Sequence, residues 1–440
     1  MSDSSVSFTH PWEEKLIGKI GTVTVGGTPR TSVEKYWDGD IPWMVSGDVH
    51  LKNIDDVPGR ISEPGLRYSN ATLVDPTSIA IALAGQGRTR GTVALVCCRL
   101  CTNQSVALVI GDSEIVNTPY LFYNLEFRYE ELRSRSAGGG RAGLSKELIE
   151  QVPVPLPDIT EQAKIAEVLA TVDRAIRQTE ALIAKYQRIM TGLMQDLLTF
   201  GIDKSGGLRS ERTHSFQDSS FGRIPTEWDV VDLESITEFV TSGSRGWAKY
   251  YSDEGPVFLR IGNLTRNHIN LRLDDIVCVN PPQSSEGNRT SVSAGDLLIS
   301  ITADLGIIGV IPVEFGEGYV NQHIALVRIP PAKANPRFVG WFLTSRGGQM
   351  QFEKLNESGA KAGLNLPTIK KLAIPVPKQN SEQERIVEIL DSQTRQIREL
   401  HRQLSKLAAL KAGLMQDLLT GKKSVTALLA PATQLRRRVS

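Results

Sequence analysis

Residues 161–201 read EQAKIAEVLATVDRAIRQTEALIAKYQRIMTGLMQDLLTFG, and residues 382–422 read EQERIVEILDSQTRQIRELHRQLSKLAALKAGLMQDLLTGK. The two stretches align without a gap at an offset of 221, and GLMQDLLT at 192–199 recurs unchanged at 413–420. Eight identical residues in constant register mark an internal duplication. Steps of four and three through the first copy give Ile165, Leu169, Val172, Ile176, Thr179, Ile183, Tyr186, Met190, Leu193 and Leu197, a stripe broken only by Thr179. The same steps through the second copy give Ile386, Leu390, Gln393, Ile397, Leu400, Leu404, Leu407, Lys411, Leu414 and Leu418, broken by Gln393 and Lys411. An apolar period of about 3.5 residues held this long is a coiled-coil seam. No proline interrupts either run. Each helix is therefore expected to be roughly 55–60 Å long at ~1.5 Å per residue. An apolar stripe of that length needs cover, and a chain with two of them covers both by packing them together.

The 440 residues allow two or three domains, and the net charge is +1. No apolar run reaches membrane-spanning length, and the start, MSDSSVSFTH, lacks the basic and apolar regions of a signal peptide, so a cytoplasmic protein is expected. Cys97, Cys98 and Cys101 cluster between apolar β-like runs, with Cys278 in the other half of the chain. That arrangement suits plain reduced thiols better than a zinc site or a redox pair, which would open a helix.

Residues 12–152 alternate short β-rich runs with Gly-, Pro- and Asp-rich turns, then turn helical near 120–135 and loop through SAGGGRAGLS at 136–145. The proline-rich VPVPLP at 152–157 ends any helix there, and Asp158 or Thr160 is placed to cap the long helix. Residues 201–222 are Gly- and Ser-rich and nearly free of apolar side chains, the composition of a linker. Residues 223–374 echo the first block: Trp12 matches Trp228, Pro42 matches Pro256, the Gly47 and Asp48 pair matches Gly262 and Asn263, and Asn103 with Gln104 matches Asn321 with Gln322. Arg141 before AGL matches Lys361 before AGL, and Pro155 and Pro157 match Pro375 and Pro377. The block ends agree better than the middles, as expected of two modules that share a fold and read different things.

The expected architecture is α+β. Two similar globular α/β domains, 12–152 and 223–374, follow a short arm at 1–11. They are separated by two long helices, 153–200 and 375–420, forming an antiparallel coiled coil with a pseudo-two-fold internal repeat. A linker at 201–222 and a basic tail at 421–440 complete the chain.

Charge excludes a simple polyanion binder. Block 12–152 carries 15 Lys and Arg against 17 Asp and Glu, block 223–374 carries 15 against 16, and residues 375–440 carry 12 against 6. Neither block has the basic footprint of a stand-alone DNA-binding domain, so nucleic-acid contact would rest on locally focused side chains and a partner's added charge. Catalytic constellations are absent from the sequence. NPPQ at 280–283 puts Gln283 where a base-stacking aromatic would be needed, and no Gly-rich cofactor loop precedes it. The glycines at 85, 87 and 91 do not form a dinucleotide fingerprint, GKKS at 421–424 lacks the upstream glycine of a P-loop, and the six histidines are isolated. No metal site is expected.

Taken together, these motifs resemble the specificity subunit of type I restriction–modification systems. PVPLP at 153–157 leading to Glu161 and Gln162, and PVP at 375–377 leading to Glu382 and Gln383, are similar to that family's helix entries. GLMQDLLT is similar to the helix exits, with Phe200 and Gly201 in place of Gly and Lys at the first. FGRIPTEW at 221–228 resembles the start of a second target-recognition domain. The resemblance implies that each domain reads one half of a bipartite double-stranded DNA site and that the coiled coil sets the gap. It further implies that two methyltransferase (modification) subunits dock on the helices and that two motor–nuclease (restriction) subunits join them. S-adenosylmethionine, ATP and Mg would belong to those partners, with no cofactor in this chain. Half-sites on one face of B-DNA lie about 34 Å apart, a span within reach of such helices.

Arg, Asn, Gln and Lys in turn-like stretches are the candidates for base or phosphate contact. They are Arg30, Arg88, Arg90, Arg135 and Arg141 in the first block, and Arg245, Lys249, Arg260, Asn263, Arg289 and Lys361 in the second. Arg141 and Lys361 recur at matching positions, which favours backbone contact over sequence reading. The competing readings are a stand-alone DNA methyltransferase, against which the missing cofactor loop counts, and a coiled-coil scaffold with no nucleic-acid partner.

Overall fold

The computed structural model describes residues 12–85, 87–135, 143–243, 245–281, 285–357 and 364–429. The duplicated stretches form uninterrupted helices, Ile159–Leu197 and Asn380–Leu419. Asp158 caps the first, its Oδ1 accepting from the Thr160 and Glu161 amides at 2.9 and 3.0 Å. Both exits pass through a glycine in the left-handed region, Gly201 at φ 64° and Gly421 at φ 72°, the backbone a helix stop favours.

The chain forms two units, one of Met1–Glu180 with Gln403–Ser440, the other of Ala181–Arg402. In the first unit Ile165, Ala166 and Leu169 share a core with Met415, Leu418 and Leu419. In the second, Met190 and Leu197 share one with Ile386, Val387 and Leu390. The start of each helix thus packs against the end of the other, so the pair is antiparallel. None of the apolar seam residues is exposed, and Ile165, Leu169, Ile386 and Leu390 are fully buried.

Each unit carries the same two sheets. In the first, Gly21–Val25, Val106–Gly111, Ser78–Ala82, Val93–Val96 and Asn53–Ile54 lie side by side, antiparallel except for the last pair. A smaller sheet joins Arg60–Ile61, Trp37–Met44 and Cys101–Thr102. In the second unit the order of the first four strands repeats as Phe239–Ser242, Ile324–Arg328, Leu297–Ser300 and Ile308–Val310, with no fifth among the described residues, and the smaller sheet as Cys278–Val279, Tyr251–Leu259 and Gly318–Val320. The central strand of each small sheet is bulged against one neighbour and parallel to the other.

Ser78–Ala82, Val93–Val96, Leu297–Ser300 and Ile324–Arg328 are buried on both faces, which is why they read as largely apolar runs. Successive side chains still divide between two cores. Ile79 and Ile81 face one, while Ala80 and Ala82 face the other. Leu297 and Ile299 face one, and Leu298 the other. The first core of each unit is closed by a helix, Thr118–Phe127 or Pro336–Thr344. Tyr120, Phe338 and Trp341 are fully buried there, each worth about 2 kcal/mol or more of apolar burial.

Two segments depart from their composition. The proline-rich entries are strands: Pro153–Leu156 pairs antiparallel with Glu13–Leu16, and Ala373–Pro377 with Trp228–Asp232. Two-stranded ribbons tolerate proline because one edge needs no amide donors. Residues 201–222, composed as a linker, are folded onto the second unit. Ile202 bridges Leu208, and Phe216–Ser219 pairs with Gly222–Pro225.

Candidate nucleic-acid interface

Each small sheet is entered through a 3-10 turn that ends in Lys-Tyr: Glu34–Tyr36, with Lys35 and Tyr36, and Trp247–Tyr250, with Lys249 and Tyr250. In both, the lysine Nζ lies over the neighbouring ring, at 5.9 and 4.9 Å from the centroid. The approach is tight. A Cβ on Gly27 would come within 2.5 Å of the Asn70 backbone, and one on Gly243 within 2.1 Å of the Asn321 carbonyl, so glycine is required at both.

In the first unit two successive turns, Val33 N to Arg30 O and Tyr36 N to Val33 O, carry the chain from exposed Arg30 to this site. Tyr36 stacks on Tyr68 at 6.2 Å and 22°, and Arg67 lies 6.0 Å from the Tyr68 ring. In the second unit Arg245 is exposed, Gly246 takes φ 73°, and Trp247 anchors the turn by stacking on Phe258 at 5.7 Å and 18°. Tyr251 is 47% exposed beside it. Cations and aromatic faces on a rigid turn suit phosphate contact and stacking against bases or sugars. Lys35, Tyr36, Arg67 and Tyr68 are absent from the sequence candidates. The KYW at 35–37 and KYY at 249–251 were the available signal, hidden because they recur at an offset of 214 rather than 221.

Arg88 is exposed on the hairpin between Ser78–Ala82 and Val93–Val96. Its carbonyl accepts from Thr92 Oγ1 at 2.6 Å and Tyr129 OH at 3.1 Å, while the Arg133 guanidinium donates to Gly87 O. The loop is thus braced with Arg88 presented outward. Arg90 beside it is half-buried.

Other candidates are engaged within the fold. Arg135 is bound to Glu131 at 2.7 Å. Burial pushes the Glu131 carboxyl up, but hydrogen bonds from Arg128 and Arg135 outweigh it and hold the group below the usual range. Arg260 pairs with Asp275 at 3.3 Å. Arg289 donates to Thr241 Oγ1 and, at 2.6 Å, to Ser242 O. Asn263, expected among the DNA-contacting residues, is 2% exposed. It accepts from the Arg260 amide at 2.9 Å and donates to the Arg272 and Asp275 carbonyls at 3.0 Å, so its side chain folds the turn and has no reach to a base. Arg141 and Lys361 lie outside the described residues.

Each module is clamped to its helix by the glutamine of the repeated Glu-Gln. Gln162 Oε1 accepts from the Asn117 amide at 2.8 Å and its Nε2 donates to Pro157 O at 2.9 Å. Gln383 does the same with the Asn335 amide at 2.8 Å and Pro377 O at 2.9 Å. Asn117 and Asn335 in turn cap Thr118–Phe127 and Pro336–Thr344. Beside this shared clamp the polar chemistry diverges. The first unit holds Lys411 Nζ 2.8 Å from both Glu126 and Asp173, with Tyr123 OH donating to Asp173 at 2.9 Å. The second joins Arg337 and Trp341 Nε1 to Asp391 at 2.7 and 3.0 Å.

The four cysteines are free thiols, and burial pushes Cys101 up to about 12, which keeps it unreactive. Among the described residues no group of three or more His, Cys, Asp or Glu is placed to hold a metal. No helix among them is long and apolar enough to cross a membrane.

Two copies of one fold, each presenting a cationic, aromatic turn and each clamped to one of two paired helices, define a duplicated DNA-recognition module. The chain belongs to the type I restriction modification DNA specificity domain family, whose model matches residues 9–187 and again 225–409. It is 22% identical over 415 residues to the type I restriction enzyme MjaVIII specificity subunit of Methanocaldococcus jannaschii, covering 93% of this chain and 92% of that one. It is 27% identical over 165 residues to the EcoR124I/EcoR124II specificity subunit of Escherichia coli, covering 37% and 41%. The crystal structure of the type I S subunit from M. genitalium superposes with TM-score 0.63 at 14% identity, covering 94% of this chain and 97% of that one. A chain solved in work on complex assembly and conformational transition of the type I R-M system superposes with TM-score 0.51 at 17% identity, covering 94% and 99%. At such identities the likeness is one of fold. The chain is a specificity subunit, a non-catalytic DNA-recognition component that works with other subunits of a restriction–modification complex.

Proposed function

We propose that each module reads one half of a bipartite duplex site and that the paired helices set the gap between the halves. Two methyltransferase subunits dock on the chain and methylate adenine within the site, and two motor–nuclease subunits complete the restriction complex. S-adenosylmethionine, ATP and Mg are held by those partners, and the complex works in the cytoplasm. The observation that carries this reading is the Lys-Tyr turn built twice on one sheet topology, beside surfaces that differ. Arg88 stands on the hairpin of the first module, whereas the matching hairpin of the second carries Asp304, bound to Arg266. A shared turn suits backbone contact and a divergent hairpin suits base reading.

The test is to map methylated adenines made by the chain with its methyltransferase subunit, for wild type and Arg88→Ala. The reading expects relaxed specificity in one half-site only. Unchanged methylation at every position of the site would remove Arg88 from recognition. Methyl transfer above background by the isolated chain would favour a stand-alone methyltransferase instead.

A further inference from the structure

Each unit contains a groove between its long-helix segments and its globular block, of about 560 Å³ in the second unit and about 890 Å³ in the first. The helix positions that line them correspond at the 221 offset. Met194 matches Met415, Ile397 matches Ile176, and Arg398 matches Arg177. The grooves are therefore one feature built twice, as expected of a surface made for two copies of a partner.

Their charges differ. In the first unit Lys52, Arg177 and Lys411 meet Glu126, Asp173 and Glu180, and three close ion pairs join Lys52 and Lys411 to the first two carboxylates. In the second unit Thr394 replaces Asp173, His401 replaces Glu180 and Met190 replaces Lys411. That groove is lined by Arg266, Arg346 and Arg398 with His268 and His401, and by no carboxylate. Arg266 is held by Asp304, and Arg346 lies 3.9 Å from Glu353, both outside the lining. Arg398 is exposed and makes no ion pair among the described residues. The floor is apolar, with Met190, Met194 and Ile397.

We propose that the second unit's groove docks an acidic, amphipathic segment of a partner subunit, and that the charge-balanced groove of the first unit does not hold the same segment equally well. Cations around an apolar floor select a chain with carboxylates on one face and apolar side chains on the other. Methionines let such a floor adapt to its occupant. A nucleic-acid backbone would match the arginines but leave the methionines without a partner. The proposal rests on the reading above that methyltransferase subunits dock on this chain. It adds that the two docking events are unequal, the second unit's depending on charge.

The test uses the full chain and the methyltransferase subunit of its own system, titrated at low and high salt and counted by native mass spectrometry. The variants are Arg346→Glu with Arg398→Glu together, and Arg177→Glu alone. These side chains are exposed, and a thermal melt of each variant checks that it folds. Wild type is expected to take two copies, one with steep salt dependence. The double variant should lose about 100-fold in affinity for that copy alone, the scale of a lost interfacial charge pair. Arg177→Glu should leave both copies within about threefold, since its groove holds its own carboxylates. Equal binding by wild type and double variant, or equal loss of both copies, overturns the proposal and leaves the assembly reading standing. A wild-type chain that takes no methyltransferase subunit overturns both. A double variant that keeps both copies but binds a 40-base-pair duplex about tenfold more weakly assigns the groove to phosphate instead.

Discussion

Lys411 occupies a seam position where its repeat partner is Met190, and it is 8% exposed. In the sequence it reads as a break in the stripe, because its partners, Glu126 and Asp173, are far away along the chain. Replacing it with methionine keeps the volume and the seam but leaves the two carboxylates undercompensated, at a cost of about 3 kcal/mol. Burial alone would raise the Glu126 carboxyl, yet the charges of Lys411 and Lys52 hold it below the usual range. Its contribution to stability is therefore in force above the unfolded value of about 4.3 and is lost as pH falls through its lower folded value. Urea unfolding should show Lys411→Met least stable relative to wild type near pH 7, with the difference shrinking below about pH 4. A difference that grows on acidification would contradict the assignment. At the proposed DNA surface, Lys35→Ala with Tyr36→Ala should weaken binding about tenfold and lower the salt slope by about 1, measured on the assembled methyltransferase. The candidates split for a physical reason. Residue type and turn context identify arginines, but only the fold shows that Arg30, Arg88 and Arg245 face outward while Arg135 and Arg289 are engaged by neighbouring groups and Asn263 is buried.

Among the elements, the long helices are the most legible, since a seam repeated twice in identical register needs no tertiary information. The modules' kinship is half-legible, because matched block ends are visible while insertions shift the offset between them. Residues 201–222 show where composition misleads. Arg209 is buried and donates to Glu382 through both Nη atoms, Nη2 at 2.9 Å, and Glu382 also accepts from Ile202 N and Trp228 Nε1 at 3.1 Å. The segment is thus pinned to the entry of the second helix by a pair 173 residues apart in sequence. Arg209→Met strands a buried carboxylate, and a loss of about 3–5 kcal/mol is expected. Restoring neutrality with Glu382→Gln in the same chain should recover part of it. A double variant no more stable than Arg209→Met in denaturant titration would show that the pair is not the fastening.

For the whole molecule, the helices are continuous through 39 and 40 residues, and their seam constrains how they can be lengthened. One heptad inserted after Ile183 and one after Leu404, equivalent points at the 221 offset, keep every seam residue on its face. Seven residues add ~10 Å of helix, about 3 base pairs of DNA, and turn one half-site relative to the other by about a third of a helical turn. Binding across sites whose gap varies by single base pairs should move its optimum to a wider gap or weaken overall. Full affinity for the parental gap would remove the ruler. Sequence reading should divide cleanly between the two blocks, which an exchange of one block measures. Residues 12–152 are replaced by the matching block of a family member with a different site, and methylated adenines are mapped genome-wide in cells carrying the hybrid and its methyltransferase subunit. The hybrid should methylate a new bipartite motif in which one half has changed and the other half and the gap are parental, whereas a motif altered in both halves would show that the blocks do not read separately.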